Sequence, residues 1–269
     1  QTGTAGITPD PSEATRDIPV AYGNGCHQDQ VDSTAIMCEY GDLDSEMDIV
    51  VVGDSKILQY QSPLTRIAEE EGWHVHSFTK SACGFHDGMQ VRKGQPYTSC
   101  AEWNQNVLAA VIDLDPDLVI TSQGAPTALS DITDPSTLDP ETMVQAIASR
   151  WQELDDAGIP VAAIVDNPRP PVTVHECVVE HSDDLTACSF DQADGESQSG
   201  GLAQAAAAGL VDNVTLIDLI DLVCPDGVCV PVIDDVLVYR TGSHLTDTYA
   251  LSLTEPLRER LVPVVQGLR

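Results

Sequence analysis

The sequence predicts an α/β fold with three layers, α/β/α, around a mainly parallel sheet. Two observations carry this prediction. The run Asp48–Gly53 is apolar and β-branched, as expected of a buried strand. From there on, strand-like and helix-like segments alternate along the chain, a pattern typical of parallel βαβ units.

The elements are expected in a regular order. Each predicted strand precedes one helix: strand 48–53 and helix about 56–71, strand 73–79 and helix about 101–113, strand 117–123 and helix about 140–157, strand 160–166 and helix about 198–209, strand 213–219 and helix about 246–263. Segment 167–197 contains several prolines and is expected to be an ordered insertion. It should lie at the carboxyl edge of the sheet, where ligands bind in such folds.

Length and composition favour one large domain. The 269 residues are 42% hydrophobic, which is ample for a core. Residues 1–45 are rich in Gly, Thr, Pro and acids, so we expect a linker or a segment wrapped over the surface of the domain at 46–269. No apolar stretch approaches the roughly 20 residues that span a bilayer. We therefore expect a soluble piece of a larger protein.

The charge balance excludes two classes of partner. Twelve basic and 43 acidic residues give a net charge of −31. Such a chain repels nucleic acid and anionic lipid surfaces, so neither is an expected partner. A solvated acidic surface that aids solubility explains most of this charge.

The eight cysteines form an even set and indicate an oxidising, extracytoplasmic compartment. Their order along the chain falls into four short-range pairs. Zinc is an alternative partner for Cys224 and Cys229, because the spacing of these two cysteines is close to that of metal ligands. However, no second close pair of Cys or His residues is present to complete a zinc site. The predicted disulfides are Cys26–Cys38, Cys83–Cys100, Cys177–Cys188 and Cys224–Cys229.

Ser55 is the candidate nucleophile. It follows the first predicted strand in Gly53-Asp54-Ser55, where the chain turns sharply into a helix. A serine there projects from the carboxyl edge of the sheet, and backbone N–H groups of the next helix face an oxyanion formed beside it. His244, in a loop before the last helix, is the candidate base. Asp and Ser are also ordinary N-cap residues, so the motif alone is weak.

Taken together, these motifs resemble the SGNH hydrolases, and most of all the SGNH domains fused to the acyltransferase-three family of integral membrane proteins. The motifs are Val51 to Ser55, Lys80 to Gly84 with the Cys100 segment, and His244-Leu245-Thr246. The resemblance covers about residues 26–265. It implies a flavodoxin-like architecture with loops clipped by disulfides.

The resemblance also implies roles for residues of this chain. Ser55 is the nucleophile, His244 its base, and the Ser55 and Gly84 N–H groups form the oxyanion hole. The third motif departs from the family pattern Gly-x-Asn-Asp, and Gln123 stands where an asparagine amide is expected. Gln123 is therefore a candidate oxyanion donor.

A second departure concerns the group that orients His244. The family has an aspartate three residues before the histidine, and this chain has Thr241. We expect a Ser–His dyad oriented by a main-chain carbonyl or by another acid such as Asp247. Lys56 either attracts an anionic acyl donor or acceptor, or pairs with surface carboxylates.

Other histidines have weaker claims to function. His74 and His76 alternate on one face of a strand, and the sequence gives them no metal-ligand company. His86 lies near Gly84 and is a candidate for lining the cleft.

The expected activity is acyl transfer through an acyl-serine, with no metal or organic cofactor. The resemblance implies an extracytoplasmic O-acyltransferase domain, tethered by a preceding transmembrane domain that delivers the acyl group, expected to be acetyl. The acceptor is a hydroxyl of a cell-surface glycan, glycolipid or peptidoglycan. Alternatives are a secreted carbohydrate esterase and a non-catalytic module that binds acylated glycan.

Overall fold

Strands and helices alternate as the sequence predicts in the computed structural model, which describes residue 4 and residues 6–268. The strands used below are β1 His27–Gln28, β2 Cys38–Gly41, β3 Asp48–Gly53, β4 His74–Lys80, β5 Leu118–Ser122, β6 Val161–Ile164, β7 Val214–Ile217, β8 Tyr239–Thr241 and β9 His244–Leu245. Four further ladders of two-residue strands pair Val91–Arg92 with Gln95–Pro96, Ala128–Leu129 with Leu138–Asp139, Phe190–Asp191 with Val228–Cys229, and Val232–Ile233 with Val236–Leu237.

The helices surround the sheet. They are α1 Ser55–Leu58, α2 Gln61–Glu71, α3 Thr98–Leu114, α4 Pro140–Asp156, α5 Val174–Glu180, α6 Gln192–Glu196, α7 Gly201–Ala208, α8 Ile220–Val223, α9 Asp247–Ser252 and α10 Thr254–Gln266. Short 3₁₀ turns occur at Pro11–Arg16, Val20–Tyr22, Leu185–Cys188 and Pro225–Gly227.

The central sheet has seven strands in the order β1-β4-β3-β5-β6-β7, and β2 also pairs with β4. All pairings are parallel except that of β2 with β4. The prediction of a mainly parallel sheet is therefore confirmed. Because β3 is central, the carboxyl end of this strand opens at the middle of the sheet edge.

The two faces of the sheet carry separate cores. Side chains alternate along β3, so Ile49 and Val51 pack with α2, α5, α9 and α10, whereas Val50 and Val52 pack with α3, α4 and α7. The three-layer prediction is confirmed by this division.

Two predicted helices are each broken in two. The helix expected at about 56–71 ends at Leu58 and restarts at Gln61, and the one expected at about 246–263 is interrupted at Leu253. In both cases a proline, Pro63 or Pro256, lies in the first turn of the second helix. Proline lacks an N–H and clashes with the carbonyl four residues earlier, so it fits a first turn and interrupts a continuous helix.

All four predicted disulfides are present. The Cys26–Cys38 bridge lies in the N-terminal segment, which also supplies β1 and β2 to the edge of the sheet. Part of the segment predicted as a linker or as a segment wrapped over the domain surface is thus paired with the sheet. The domain division at residues 45 and 46 stays a prediction.

Candidate active site

The turn between β3 and α1 holds Ser55 in a fixed position. Gly53 has a φ of 148°, and a Cβ there would lie 2.5 Å from the Ser122 carbonyl oxygen, so glycine is required. Asp54 caps α1: its Oδ1 accepts from the Lys56 N–H at 2.8 Å, and its Oδ2 accepts from the Gly124 N–H at 2.9 Å. The cap therefore ties the serine turn to the end of β5.

Ser55 and His244 are in hydrogen-bond contact. Their Oγ and Nε2 atoms are 2.7 Å apart, although the residues are 189 positions apart in sequence. His244 opens β9, which pairs with β8 in a short hairpin. The structure thus brings together the predicted nucleophile and base.

A main-chain carbonyl orients the imidazole. The Nδ1 of His244 lies 3.2 Å from the carbonyl oxygen of Thr241. A carbonyl only accepts, so Nδ1 carries the proton and Nε2 is free to accept from the serine hydroxyl. Asp247 does not take this part, because its Oδ1 accepts from the Ser62 hydroxyl at 2.7 Å.

The environment keeps His244 neutral. Burial lowers the pKa of its imidazole to about 3, and the positive charges of Lys56 and Arg240 act in the same direction. The hydrogen bond to the Thr241 carbonyl opposes these effects. A neutral imidazole is the form that accepts a proton from serine.

Lys56 pairs with a buried carboxylate, and its attraction of an anionic donor or acceptor stays a prediction. Its side chain is only 3% exposed and forms an ion pair at 3.2 Å with Asp166, whose side chain is also buried. Its Nζ also donates to the Ser243 carbonyl at 2.6 Å and to Oδ1 of Asn167 at 2.9 Å. Pairing with surface carboxylates is therefore wrong, and the ammonium holds the loop before His244 in place.

Sequence reasoning missed the rest of this buried network. Gln59 donates to Oδ1 of Asn167 and accepts from the Leu245 N–H, and Asn167 donates to the Ser243 carbonyl. The residues on both sides of His244 are thus fixed. One signal was available for Asn167, since it follows β6 at the same edge of the sheet as Ser55.

Gly84 and Gln123 do not line the cleft, and their hydrogen-bond donors are already engaged. The N–H of Gly84 donates to Oε1 of Gln90 at 2.9 Å. The amide of Gln123 bonds the backbone of Ala125 through both its nitrogen and its oxygen. Both residues are buried, and a Cβ on Gly84 would lie 2.9 Å from Cβ of Gln123, so close packing accounts for this glycine.

An open cleft of about 350 Å³ borders the serine–histidine pair. Two arginines on its wall, Arg92 and Arg169, were not predicted; Arg169 belongs to the insertion expected at this edge. His86 does not line the cleft, because it is buried against Gln90. The lining residues are Asp54, Ser55, Lys56, Ala82, Gln90, Val91, Arg92, Gly124, Ala125, Pro126, Arg169, Ser243 and His244.

The expectation that His74 and His76 lack metal-ligand company is wrong. Strand pairing brings Glu39 and Asp48 beside them, at the amino edge of the sheet. Within residues 4 and 6–268, no helix has both the length and the apolar character needed to cross a bilayer.

Comparison with solved structures finds proteins of similar structure. The periplasmic domain of a lipopolysaccharide acetyltransferase from Salmonella serovar Paratyphi A matches 97% of this chain and 99% of its own, with a TM-score of 0.64 and 11% identity. A putative acylhydrolase from Bacteroides fragilis matches 86% of this chain and 91% of its own, with a TM-score of 0.46 and 13% identity. A GDSL-like lipase from Bacteroides thetaiotaomicron matches 83% and 90%, with a TM-score of 0.45 and 11% identity.

At 11% identity, the likeness to the Salmonella domain concerns the fold alone. No curated protein matches the sequence significantly. A family model, however, matches residues 25–259, which is most of the chain. The family of this model supports an acyl-transfer or hydrolytic role for the chain. The chain belongs to the SGNH domains that are fused to AT3 domains.

Proposed function

We propose that this chain is the extracytoplasmic O-acyltransferase domain of a membrane-bound acyltransferase. In this proposal, it transfers an acyl group, expected to be acetyl, through Ser55 to a hydroxyl of a cell-surface glycan, glycolipid or peptidoglycan. The observation that carries the proposal is the 2.7 Å contact between Ser55 and a neutral His244 at the wall of a cleft.

The two half-reactions use the same pair of residues. The Ser55 Oγ attacks the carbonyl carbon of the acyl donor, its proton passes to Nε2 of His244, and the leaving group departs with that proton. The acceptor hydroxyl then gives its proton to Nε2 and attacks the acyl-serine, and Oγ leaves and regains the proton. The Thr241 carbonyl keeps the imidazole in the reactive tautomer throughout.

The proposed oxyanion hole differs from that expected from the sequence. The Ser55 N–H remains one donor, since it opens α1 and has no partner within the helix. Ala82, two residues before Gly84, lines the cleft. Its backbone is in the left-handed conformation, with φ 53°. We assign the second donor to the Ala82 N–H, because the Gly84 N–H already bonds Gln90.

Family membership supports the proposed partner and location. SGNH domains fused to AT3 domains have a membrane acyltransferase as the other part of the same protein, and the four disulfides suit an oxidising compartment. The Salmonella domain is described as periplasmic and as part of a lipopolysaccharide acetyltransferase, which supports an acetyl group and a glycolipid acceptor.

The test is partition of an acetyl group between water and an added alcohol. The purified chain is given an aryl acetate with and without a soluble sugar acceptor, and acetyl sugar and acetate are both measured. We expect acetyl sugar from the unaltered chain and from the exposed control Ser130→Ala, and none from Ser55→Ala or His244→Gln. Acetate alone at every sugar concentration would support a hydrolase instead, and equal turnover by Ser55→Ala would overturn the assignment of Ser55.

A further inference from the structure

At the amino edge of the sheet, three strands bring together two histidines and two carboxylates. His74 and His76 lie two residues apart, so both project from the same face of β4. Strand pairing sets Glu39 of β2 opposite His76, and Asp48 of β3 opposite His74. We call these four residues the β4 histidine cluster.

Asp48 contacts both rings and fixes the tautomer of His76. Its Oδ1 is 2.8 Å from Nε2 of His76 and 3.3 Å from Nδ1 of His74. An ionised carboxylate only accepts, so the nitrogen facing it must carry the hydrogen. Nδ1 of His76 therefore offers a lone pair, whereas Nε2 of His74 shares its hydrogen with Oε1 of Glu39 at 2.7 Å, a hydrogen that a metal ion would replace.

Both of these nitrogens face the carboxylate of Glu39. The Glu39 Oε1 is 2.7 Å from Nε2 of His74 and 3.8 Å from Nδ1 of His76. His76 is only 6% exposed, and within residues 4 and 6–268 its Nδ1 has no hydrogen-bond partner. Once a cation displaces the hydrogen between His74 and Glu39, these three atoms converge on it as electron-pair donors.

We propose that the β4 histidine cluster binds a divalent transition metal ion of the Zn²⁺ type. The ligands are Nε2 of His74, Nδ1 of His76 and Oε1 of Glu39. One ligand atom from each of these residues lies within 4.8 Å of the other two. Tetrahedral zinc with bonds of about 2.0–2.1 Å separates its ligands by roughly 3.3 Å, and the two distances from Glu39 bracket that value.

Asp48 completes the site from outside the ligand shell. A carboxylate that accepts from the second nitrogen of a ligating imidazole is the usual partner in zinc sites, since it orients the ring. Two imidazoles also favour zinc and its neighbours over Ca²⁺ or Mg²⁺, which prefer oxygen ligands. The Glu39 side chain is 44% exposed, so water has access to a fourth position.

The site's position indicates a role in holding the sheet edge together. Asp48 and Gly53 mark the two ends of β3, roughly 17 Å apart at about 3.3 Å per residue, and Ser55 lies beyond Gly53. The ion would join β2 to β4 next to Cys38, which is bonded to Cys26. It therefore fastens the N-terminal segment to the sheet and takes no part in acyl transfer.

The test is a Zn²⁺ titration of the chelator-treated, non-reduced chain, with a chromophoric competitor and excess Mg²⁺ to cover acidic surface sites. We expect one tight equivalent and a melting temperature that rises with Zn²⁺ concentration. His76→Gln and Glu39→Gln should each weaken binding by roughly 100-fold or more, and Asp48→Asn by about 10–100-fold. His181 is exposed in a loop, so His181→Gln is the matched control and should bind Zn²⁺ as tightly as the unaltered chain.

A second measurement guards against misfolding of the His76 variant. Glu39 is on the exposed side of the cluster, so Glu39→Gln is expected to keep its fold and its far-UV spectrum. Bound Co²⁺ should give a visible absorption spectrum in the unaltered chain that changes in this variant. The proposal is overturned if the unaltered chain binds no tight equivalent, or if that equivalent persists in both Glu39→Gln and His76→Gln.

Discussion

Replacement of Lys56 by methionine tests how the His244 loop is held. The Lys56 side chain is 3% exposed, and its ammonium pairs with an Asp166 side chain that is 1% exposed and donates to the Ser243 carbonyl. Methionine retains much of the side-chain length and removes the charge, so Asp166 becomes a buried carboxylate without a counterion. Breaking a buried ion pair in this way costs about 3–5 kcal/mol of unfolding free energy.

Restoring charge balance should recover part of that loss. Asp166→Asn keeps an oxygen for the Gly200 N–H, which bonds Oδ2 at 2.9 Å, but removes the buried charge. The double variant Lys56→Met/Asp166→Asn should therefore be more stable than Lys56→Met by about 1–2 kcal/mol. Lys93 is exposed in a loop, so Lys93→Met is the matched control and should be within about 0.5 kcal/mol of the unaltered chain.

Urea denaturation under non-reducing conditions measures these differences, and a pH–rate profile provides an independent check. Lys56 lowers the pKa of His244, so Lys56→Met should move the acid limb of kcat/KM to higher pH. Our reasoning is refuted if Lys56→Met loses less than about 1 kcal/mol, or if the double variant is no more stable than the single one.

Three further perturbations follow from the same geometry. The pKa of His244 is about 3 in the fold and 6.5 in the unfolded chain, so its neutral form contributes stability that is fully present above pH 6.5 and is lost as the pH falls towards 3. Urea titrations should then show a weaker pH dependence for His244→Gln in that window, and identical slopes would contradict the assignment. Replacing both cysteines of the Cys83–Cys100 bridge by serine should cost roughly 3 kcal/mol, and an unchanged urea midpoint would count against an anchoring role. Gly53→Ala should lose at least about 1 kcal/mol and most esterase turnover, because the new Cβ meets the Ser122 carbonyl, whereas Gly94→Ala, in open space at φ +72°, tests a positive φ without a collision.

Local sequence patterns were enough to predict the order of the elements and the position of Ser55. Buried parallel strands leave continuous apolar runs such as 48–53, and the strand-to-helix turn places a side chain at the edge of the sheet. The breaks before Gln61 and Thr254 also had a local signal, since Pro63 and Pro256 each lie two residues after the restart.

The contacts that decide the site are not local. Lys56 is buried because Asp166 and Ser243, more than 100 residues away, enclose its ammonium, and no pattern around residue 56 reports that. Gly84 and the glutamine that packs on it likewise depend on how two loops meet. Glu39 is aligned with His76 only through the register of β2 against β4. The short segment that forms β2 has no regular apolar alternation, so its sequence does not specify that register.

The most direct test of Ser55 as the acyl acceptor is to trap the acyl-serine. The purified chain is mixed with an aryl acetate, quenched in acid within the first turnovers, digested without reduction and mapped by mass spectrometry. We predict one acetyl group, on the peptide that contains Ser55. It should be absent from Ser55→Ala and His244→Gln, and it should disappear when a sugar acceptor is added before the quench. An acetyl group on another residue, or steady turnover by Ser55→Ala, would contradict the proposed mechanism.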